Sequence, residues 1–168
     1  MLSFEVFPPK RTASVDTIYK TLDGLTEIKP DFISVTYGAG GGENNKIASE
    51  IKQNYGIESV AHLPCIGLTK RDVVQKLDAL KEMEIENILA LRGDIPDGDN
   101  SPGDFKYACD LIAFIREQGN FNILAACYPE GHIESKNKVD DLRNLKRKVD
   151  AGANQLITQL FFDNEYFY

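Results

Sequence analysis

Six short apolar runs, separated by stretches with helical spacing, constrain this chain more than any other feature of its sequence. The runs are residues 2–7, 32–37, 59–63, 87–91, 122–128 and 155–162. They are nearly continuous in apolar residues, as parallel strands covered on both faces should be. Between them the period changes. Ser14 reads as an N-cap, with Val15, Ile18, Leu22, Leu25 and Ile28 on one helical face and Pro30 as the stop. Ile47, Ala48, Ile51 and Tyr55 mark a second helix that ends at Gly56. Thr69 and Asp72 form a capping-box pattern ahead of Val73, Leu77 and Leu80. A polar loop at 96–104 leads to a fourth helix with Ala108, Leu111, Ile112 and Ile115 inward. Val139, Leu142, Leu145 and Val149 give the inward stripe of a fifth, which Gly152 ends.

This alternation places the chain in the α/β class, as one domain over residues 1–168. The strands recur about every 30 residues, the period of a (β/α)8 barrel of ~250 residues. A doubly wound open sheet alternates in the same way but gathers its ligand residues at one switch point. Here polar residues stand in or at the end of nearly every strand: Glu5, Thr36, His62, Arg92 with Asp94, Tyr128 and Gln159. That distribution favours a TIM-type barrel, whose strands converge on one mouth. Six strands do not close eight, so the expectation is an incomplete barrel with about six strands and five helices. The first and last strands would be its open edges, and two C-terminal strand–helix units would be missing.

Composition removes several function classes. Nineteen basic against 26 acidic residues give a net charge of −7, which is not the footprint of a nucleic-acid binder. No apolar run approaches the ~20 residues that span a bilayer, and the N-terminus lacks the pattern of a signal peptide. No membrane partner and a cytoplasmic location are therefore expected. Cys65, Cys109 and Cys127 read as small buried thiols in a reducing compartment. The two histidines fit no metal-binding spacing, so no metal is expected.

Several residues carry chemistry. Strand alternation puts Ser3, Glu5 and Phe7 on one face of the first strand, where burial in a barrel lumen would raise the carboxyl's pKa and suit a general acid; an exposed edge-strand glutamate or an ion pair is the plainer reading. The run Thr36-Tyr37-Gly38-Ala39-Gly40 is glycine-rich but is no dinucleotide fingerprint. His62 in an apolar strand reads first as a satisfied core histidine. Arg92-Gly93-Asp94 offers a two-sign polar clamp at a strand end. Asp141, Asn144 and Lys148 form a polar stripe on the fifth helix, with Arg147 adjacent; a solvated face is the default for such charge. The Gln159 amide both donates and accepts, which suits the edge of a heterocycle.

The segments S-F-E-V-F-P-P-K, V-T-Y-G-A-G, A-H-L-P-C, A-L-R-G-D-I-P, Y-P-E-G-H, N-L-K-R-K-V-D-A-G-A and I-T-Q-L-F-F-D-N stand in an order that resembles the methylenetetrahydrofolate reductase family of bacterial type. The resemblance covers the whole chain and corresponds to the N-terminal two thirds of the family's barrel. It implies a flavoprotein oxidoreductase of one-carbon metabolism and methionine synthesis. Such an enzyme reduces 5,10-methylenetetrahydrofolate to 5-methyltetrahydrofolate, with FAD as cofactor and NADH or NADPH as hydride donor. It implies Glu5 as the acid that opens the folate imidazolidine ring, Asp94 beside the flavin and pterin, and Gln159 against folate and nicotinamide. These three are the implied catalytic and substrate-binding residues.

For the cofactor, the resemblance implies flavin-side or nicotinamide-side contacts at Thr36, Tyr37, Ala39, His62, Arg92, Gly93, Asp94, Tyr107, Ala108, Ala126 and Tyr128. His132, Ser135, Asp141, Asn144, Arg147 and Lys148 would follow the ribityl, pyrophosphate and adenosine parts. Pro64, Ile133 and Ser135 depart from the family's pattern. Bacterial members self-associate, so a homo-oligomer belongs to the same expectation. The competing reading is a truncated barrel that folds or self-associates without turnover. A barrel lyase or aldolase would need a Schiff-base lysine or a metal cluster at the strand ends, and the sequence places neither there.

Overall fold

A computed structural model describes residues 1–9, 16–37, 43–94 and 103–168, apart from the side chains of Asp16 and Glu43. The N-cap expected at Ser14, the glycine loop 38–42 with Ala39, and most of the loop 96–104 lie outside the described residues.

The elements alternate as the periodicity requires. They are β1 (Ser3–Val6), α1 (Asp16–Thr26), β2 (Phe32–Val35), α2 (Glu43–Tyr55), β3 (Glu58–Pro64), α3 (Lys70–Glu82), β4 (Asn87–Leu91), α4 (Ala108–Gln118), β5 (Asn122–Cys127), α5 (Lys138–Asp150) and β6 (Gln155–Thr158). A single 3₁₀ turn, Asn164–Tyr166, follows. The strands are hydrogen-bonded in the order β1-β2-β3-β4-β5-β6. A doubly wound sheet reverses direction at its switch point, and this order never does. The chain therefore has the singly wound topology of a (β/α)8 barrel, incomplete at six strands and five helices.

The chain divides into two compact units. The first comprises Met1–Leu63 and Val74–Ile88. Its strands are parallel and in register, with Glu5 opposite Ser34 and Ser34 opposite Val60. Alternation then sends Ile33 and Val35 to one side, where both are fully buried. Helices supply Ile18 and Leu22 from α1, Ile47, Ala48 and Ile51 from α2, and Leu77 and Leu80 from α3. Each fully buried Leu or Ile stabilises the fold by about 1.5–3 kcal/mol. Gly56, at φ 65°, stops α2 where the sequence puts the stop. α1 ends earlier than its apolar spacing suggests. Lys29 takes φ 54°, and Ile28 lies beyond the helix, 54% exposed. The residue before Pro30 is barred from the helical region, so the chain breaks upstream of the proline.

The second unit comprises Pro64–Val73 and Leu89–Tyr168. The capping box forms: Thr69 N–H donates to Asp72 (2.8 Å) and Asp72 N–H to the Thr69 hydroxyl (3.2 Å). At the start of α4, the Asp110 carboxylate accepts from the backbone N–H groups of Lys106 and Tyr107. α4 buries Ala108, Leu111, Ile112 and Ile115, all four of its expected inward residues. Ile123, Leu124 and Ala125 of β5 are buried as well.

α5 departs from the expectation. It buries no residue, and Val139, Leu142 and Val149 are about half-exposed or more. Only Leu145 of the stripe turns toward a cavity. β6 is also shorter than the apolar run 155–162. Its edge leaves Leu160 and Phe162 at 73% and 90% exposure. Amphipathic spacing marks a face that seeks apolar cover; among the described residues α5 and β6 do not find it.

Candidate functional site

Two groups of side chains, one in each unit, carry the chemistry. In the first unit, Glu5, Ser34 and Val60 form one lateral row across β1, β2 and β3. His62 lies two residues beyond Val60 and so shares that face. The Glu5 Oε2 atom reaches to 3.7 Å from His62 Nε2. The imidazole is 93% buried, and Nε2 has no hydrogen-bond partner among the described residues. Burial pushes the His62 pKa down to about 4, so the ring is neutral at physiological pH. Burial also raises the carboxyl of half-exposed Glu5 above the usual carboxylate range. The plain core-histidine reading therefore fails for Nε2. The backbone there is fixed instead, since the buried Asn44 amide donates to the His62 carbonyl at 3.2 Å. Thr36 and Tyr37 follow β2 directly, and the Tyr37 hydroxyl accepts from Lys76 at 3.0 Å.

In the second unit, a cavity of about 290 Å³ opens at the carboxyl ends of β4 and β5, against α4 and α5. That volume is at the lower edge of small-molecule sites, which run to about 300–1,000 Å³. Arg92 follows β4, and Tyr128 follows β5. Tyr107 and Ala108 come from the start of α4, Ala126 from β5, and His132 and Ser135 from the loop before α5. Asp141, Asn144, Arg147 and Lys148 project from α5. The polar stripe of that helix is thus a cavity wall rather than a merely solvated face.

The walls are ordered by specific contacts. Lys148 Nζ donates to the Ala126 carbonyl at 2.8 Å and lies 5.6 Å from the Tyr128 ring centroid. Burial lowers its pKa, and Asp141 opposes that shift. The Ser135 hydroxyl donates to Asp141 at 2.9 Å. His132 meets Tyr128 edge-on, with centroids 4.7 Å apart. Arg147 donates to the Asn144 amide oxygen at 3.2 Å.

Arg92 feels the charge of Asp94 but makes its ion pair elsewhere. Its guanidinium forks onto Glu134, at 2.5 and 2.6 Å. Glu134 holds Arg92 charged, and Arg92 holds the Glu134 carboxyl below its ordinary pKa. Gly93 between them turns with φ 88°. A β-carbon there would stand 2.9 Å from Ile66 Cγ2 and 3.0 Å from Pro64 Cβ, so only glycine fits.

Glu134 is the partner that sequence reasoning misses. A glutamate in an exposed polar loop carries no signal that it will cross to a strand end. Cys109 and Cys127 also line the cavity. All three thiols are free, and burial raises each above its ordinary pKa, Cys65 to about 11. Asp94 and Gln159 are exposed and are not among the cavity residues. Gln159 lies just past β6, where its N–H still continues the ladder to the Cys127 carbonyl at 2.8 Å.

The cavity holds three cations, Arg92, Arg147 and Lys148, against two carboxylates, Glu134 and Asp141. A local excess of positive charge in a chain of net charge −7 suits an anionic ligand. Among the described residues, no helix is long and apolar enough to cross a membrane.

Comparison with known proteins shows the family of the chain. The chain is 43% identical over 99% of its length to a 5,10-methylenetetrahydrofolate reductase of Pectobacterium carotovorum and covers 56% of that protein. It is 44% identical over 99% of its length to the Escherichia coli protein of that name, again covering 56%. It is 36% identical over 98% of its length to methylenetetrahydrofolate reductase (NADH) 1 of Zea mays, covering 31%. The chain thus spans about half the length of its bacterial relatives. The family model for methylenetetrahydrofolate reductase matches residues 1–168, and the chain belongs to that family.

Proposed function

We propose that this chain supplies the flavin-binding and acid-catalytic parts of an enzyme that reduces 5,10-methylenetetrahydrofolate to 5-methyltetrahydrofolate with NADH or NADPH. The observation that supports this most is the cavity of the second unit. Eleven residues that the resemblance ties to FAD line it, although they come from four separate stretches of sequence. When bound, the flavin would accept hydride from the reduced nicotinamide and deliver it to the folate.

The residues fit that cofactor by chemistry. Arg147 and Lys148 are cations for a pyrophosphate, and Asn144, Asp141, Ser135 and His132 offer the polar contacts a ribityl and adenosine chain needs. Tyr128, Tyr107, Ala108 and Ala126 present flat or small surfaces to a ring system. Arg92 is held in place by Glu134. Thr36, Tyr37, Ala39, His62, Gly93 and Asp94 complete the proposed flavin contacts.

Glu5 is the proposed general acid. Burial raises its proton affinity, the direction a general acid needs, and its half-exposed position lets solvent replace the proton it gives up. Ring opening yields an iminium, the electrophile that accepts hydride. Asp94 would steady that cation, and the Gln159 amide would bind folate and nicotinamide in turn.

A visible spectrum of the purified protein, with and without added FAD, tests the reading. A bound-flavin band and folate-dependent oxidation of NADH or NADPH are expected. Protein that stays colourless with excess FAD overturns it. The exposed apolar face on α5 and beyond β6 favours a second reading, a homo-oligomer without turnover. That reading predicts concentration-dependent association in sedimentation and no nicotinamide oxidation. A bacterial enzyme of this kind would work in the cytoplasm, with no nucleic-acid or membrane partner.

A further inference from the structure

We propose that His62 is a positioning residue for the Glu5 proton: its unprotonated Nε2 accepts a hydrogen bond from the protonated Glu5 carboxyl and so holds the acid ready across the face of β1–β3. This deepens the proposed function and rests on it for the catalytic use of that proton.

The geometry carries the argument. A nitrogen buried without a partner costs about 1–3 kcal/mol, and such atoms in native structures have a reason to be there. His62 Nε2 is such an atom, and Glu5 Oε2 stands 3.7 Å from it. That is too long for a hydrogen bond and short enough for a side-chain rotation to close. Among the described residues of the first unit, Glu5 is the one carboxylate within 4 Å of the imidazole.

The surrounding elements leave this pair to itself. From β2, the residues sharing the face are Phe32 and Ser34, with Thr36 just beyond the strand, all uncharged. From α2, Asn44 is spent on the His62 carbonyl. Lys76 of α3 donates to Tyr37. At the far end of β3, Glu58 pairs with Lys52 and accepts from Asn87. Among the described residues of the first unit, no cation is paired with Glu5, and a desolvated imidazole resists taking the proton outright. Burial disfavours charge on both groups, so a proton taken up by Glu5 stays on the carboxyl and points at Nε2. On transfer to the folate amine, the Glu5 O–H bond breaks and the carboxylate is left. The next proton comes from solvent through the exposed side of Glu5.

Infrared titration of the Glu5 carboxyl, its band assigned by the loss seen in Glu5→Gln, tests this without cofactor or substrate. His62→Leu keeps the site dry and removes the acceptor, so the Glu5 midpoint should fall by about one pH unit, a tenfold change. An unchanged or raised midpoint overturns the proposal. Should His62→Leu fail to fold, 15N spectra of the unaltered protein decide. The His62 Nε2 signal should be that of an unprotonated nitrogen and should move as Glu5 titrates; a protonated Nε2 overturns the assignment. A falling midpoint in a protein that never reduces folate would uphold the pair and refute the enzymatic reading. An unmoved midpoint in an active protein would do the reverse.

Discussion

The two units treat buried charge in opposite ways. In the second, Arg92 keeps its charge because Glu134 answers it with two hydrogen bonds, and Asp141 opposes the cost of burying Lys148. In the first, desolvation acts on Glu5 and His62 with nothing to offset it. Compensation preserves charge and suits holding an anion. Uncompensated burial disfavours charge and suits handling a proton. The same physical term, the cost of taking an ion out of water, thus yields a binding wall in one place and an acid in another.

That contrast can be broken experimentally. Glu5→Gln should have the largest effect, a loss of about 10²–10⁴-fold in folate reduction with the flavin spectrum unchanged. Equal loss of flavin binding would erase the division of labour. Next is acid stability. An unfolded histidine takes its proton near pH 6.5, whereas folded His62 resists it down to about pH 4. The stabilisation is complete above pH 6.5 and is lost as pH falls through that window, to the extent of about 3 kcal/mol. Urea unfolding across the window should show that slope, and His62→Leu should flatten it.

Gly93→Ala should destabilise by about 2 kcal/mol, since a left-handed backbone and two tight carbon contacts oppose the methyl group. A thermal melt reads it. Arg147→Ala should weaken FAD binding about tenfold, the size of one charge-assisted hydrogen bond. Flavin titration at two salt concentrations should show a smaller salt dependence than in the parent protein.

Much of this was legible in the sequence where a local rule decides it. Period-two alternation places Glu5 opposite the buried face of β1, and Thr69 with Asp72 announces α3. The cavity was legible only through resemblance, because Asp141, Asn144 and Lys148 have the spacing of any solvated stripe. The missed parts depend on contacts between distant segments. Arg92 and Glu134 lie 42 residues apart, and no periodicity links them. α4 and α5 carry equally good apolar spacing, yet one buries four residues and the other none. Amphipathicity records that a helix has a face to cover, and tertiary neighbours decide whether it is covered. Glu5 and His62 fall between these cases: each was visible singly, and their approach required the register of β2 between them.

Cys65 gives the fold a built-in clock. Its thiol is fully shielded and sits against the Arg92 and Tyr107 carbonyls, with proton affinity raised to about 11. An alkylating reagent at neutral pH should therefore find almost no thiolate there until the segment after β3 detaches from β4. The rate of Cys65 modification then counts openings of the Arg92-Gly93 turn, and any ligand that braces that turn should slow the count.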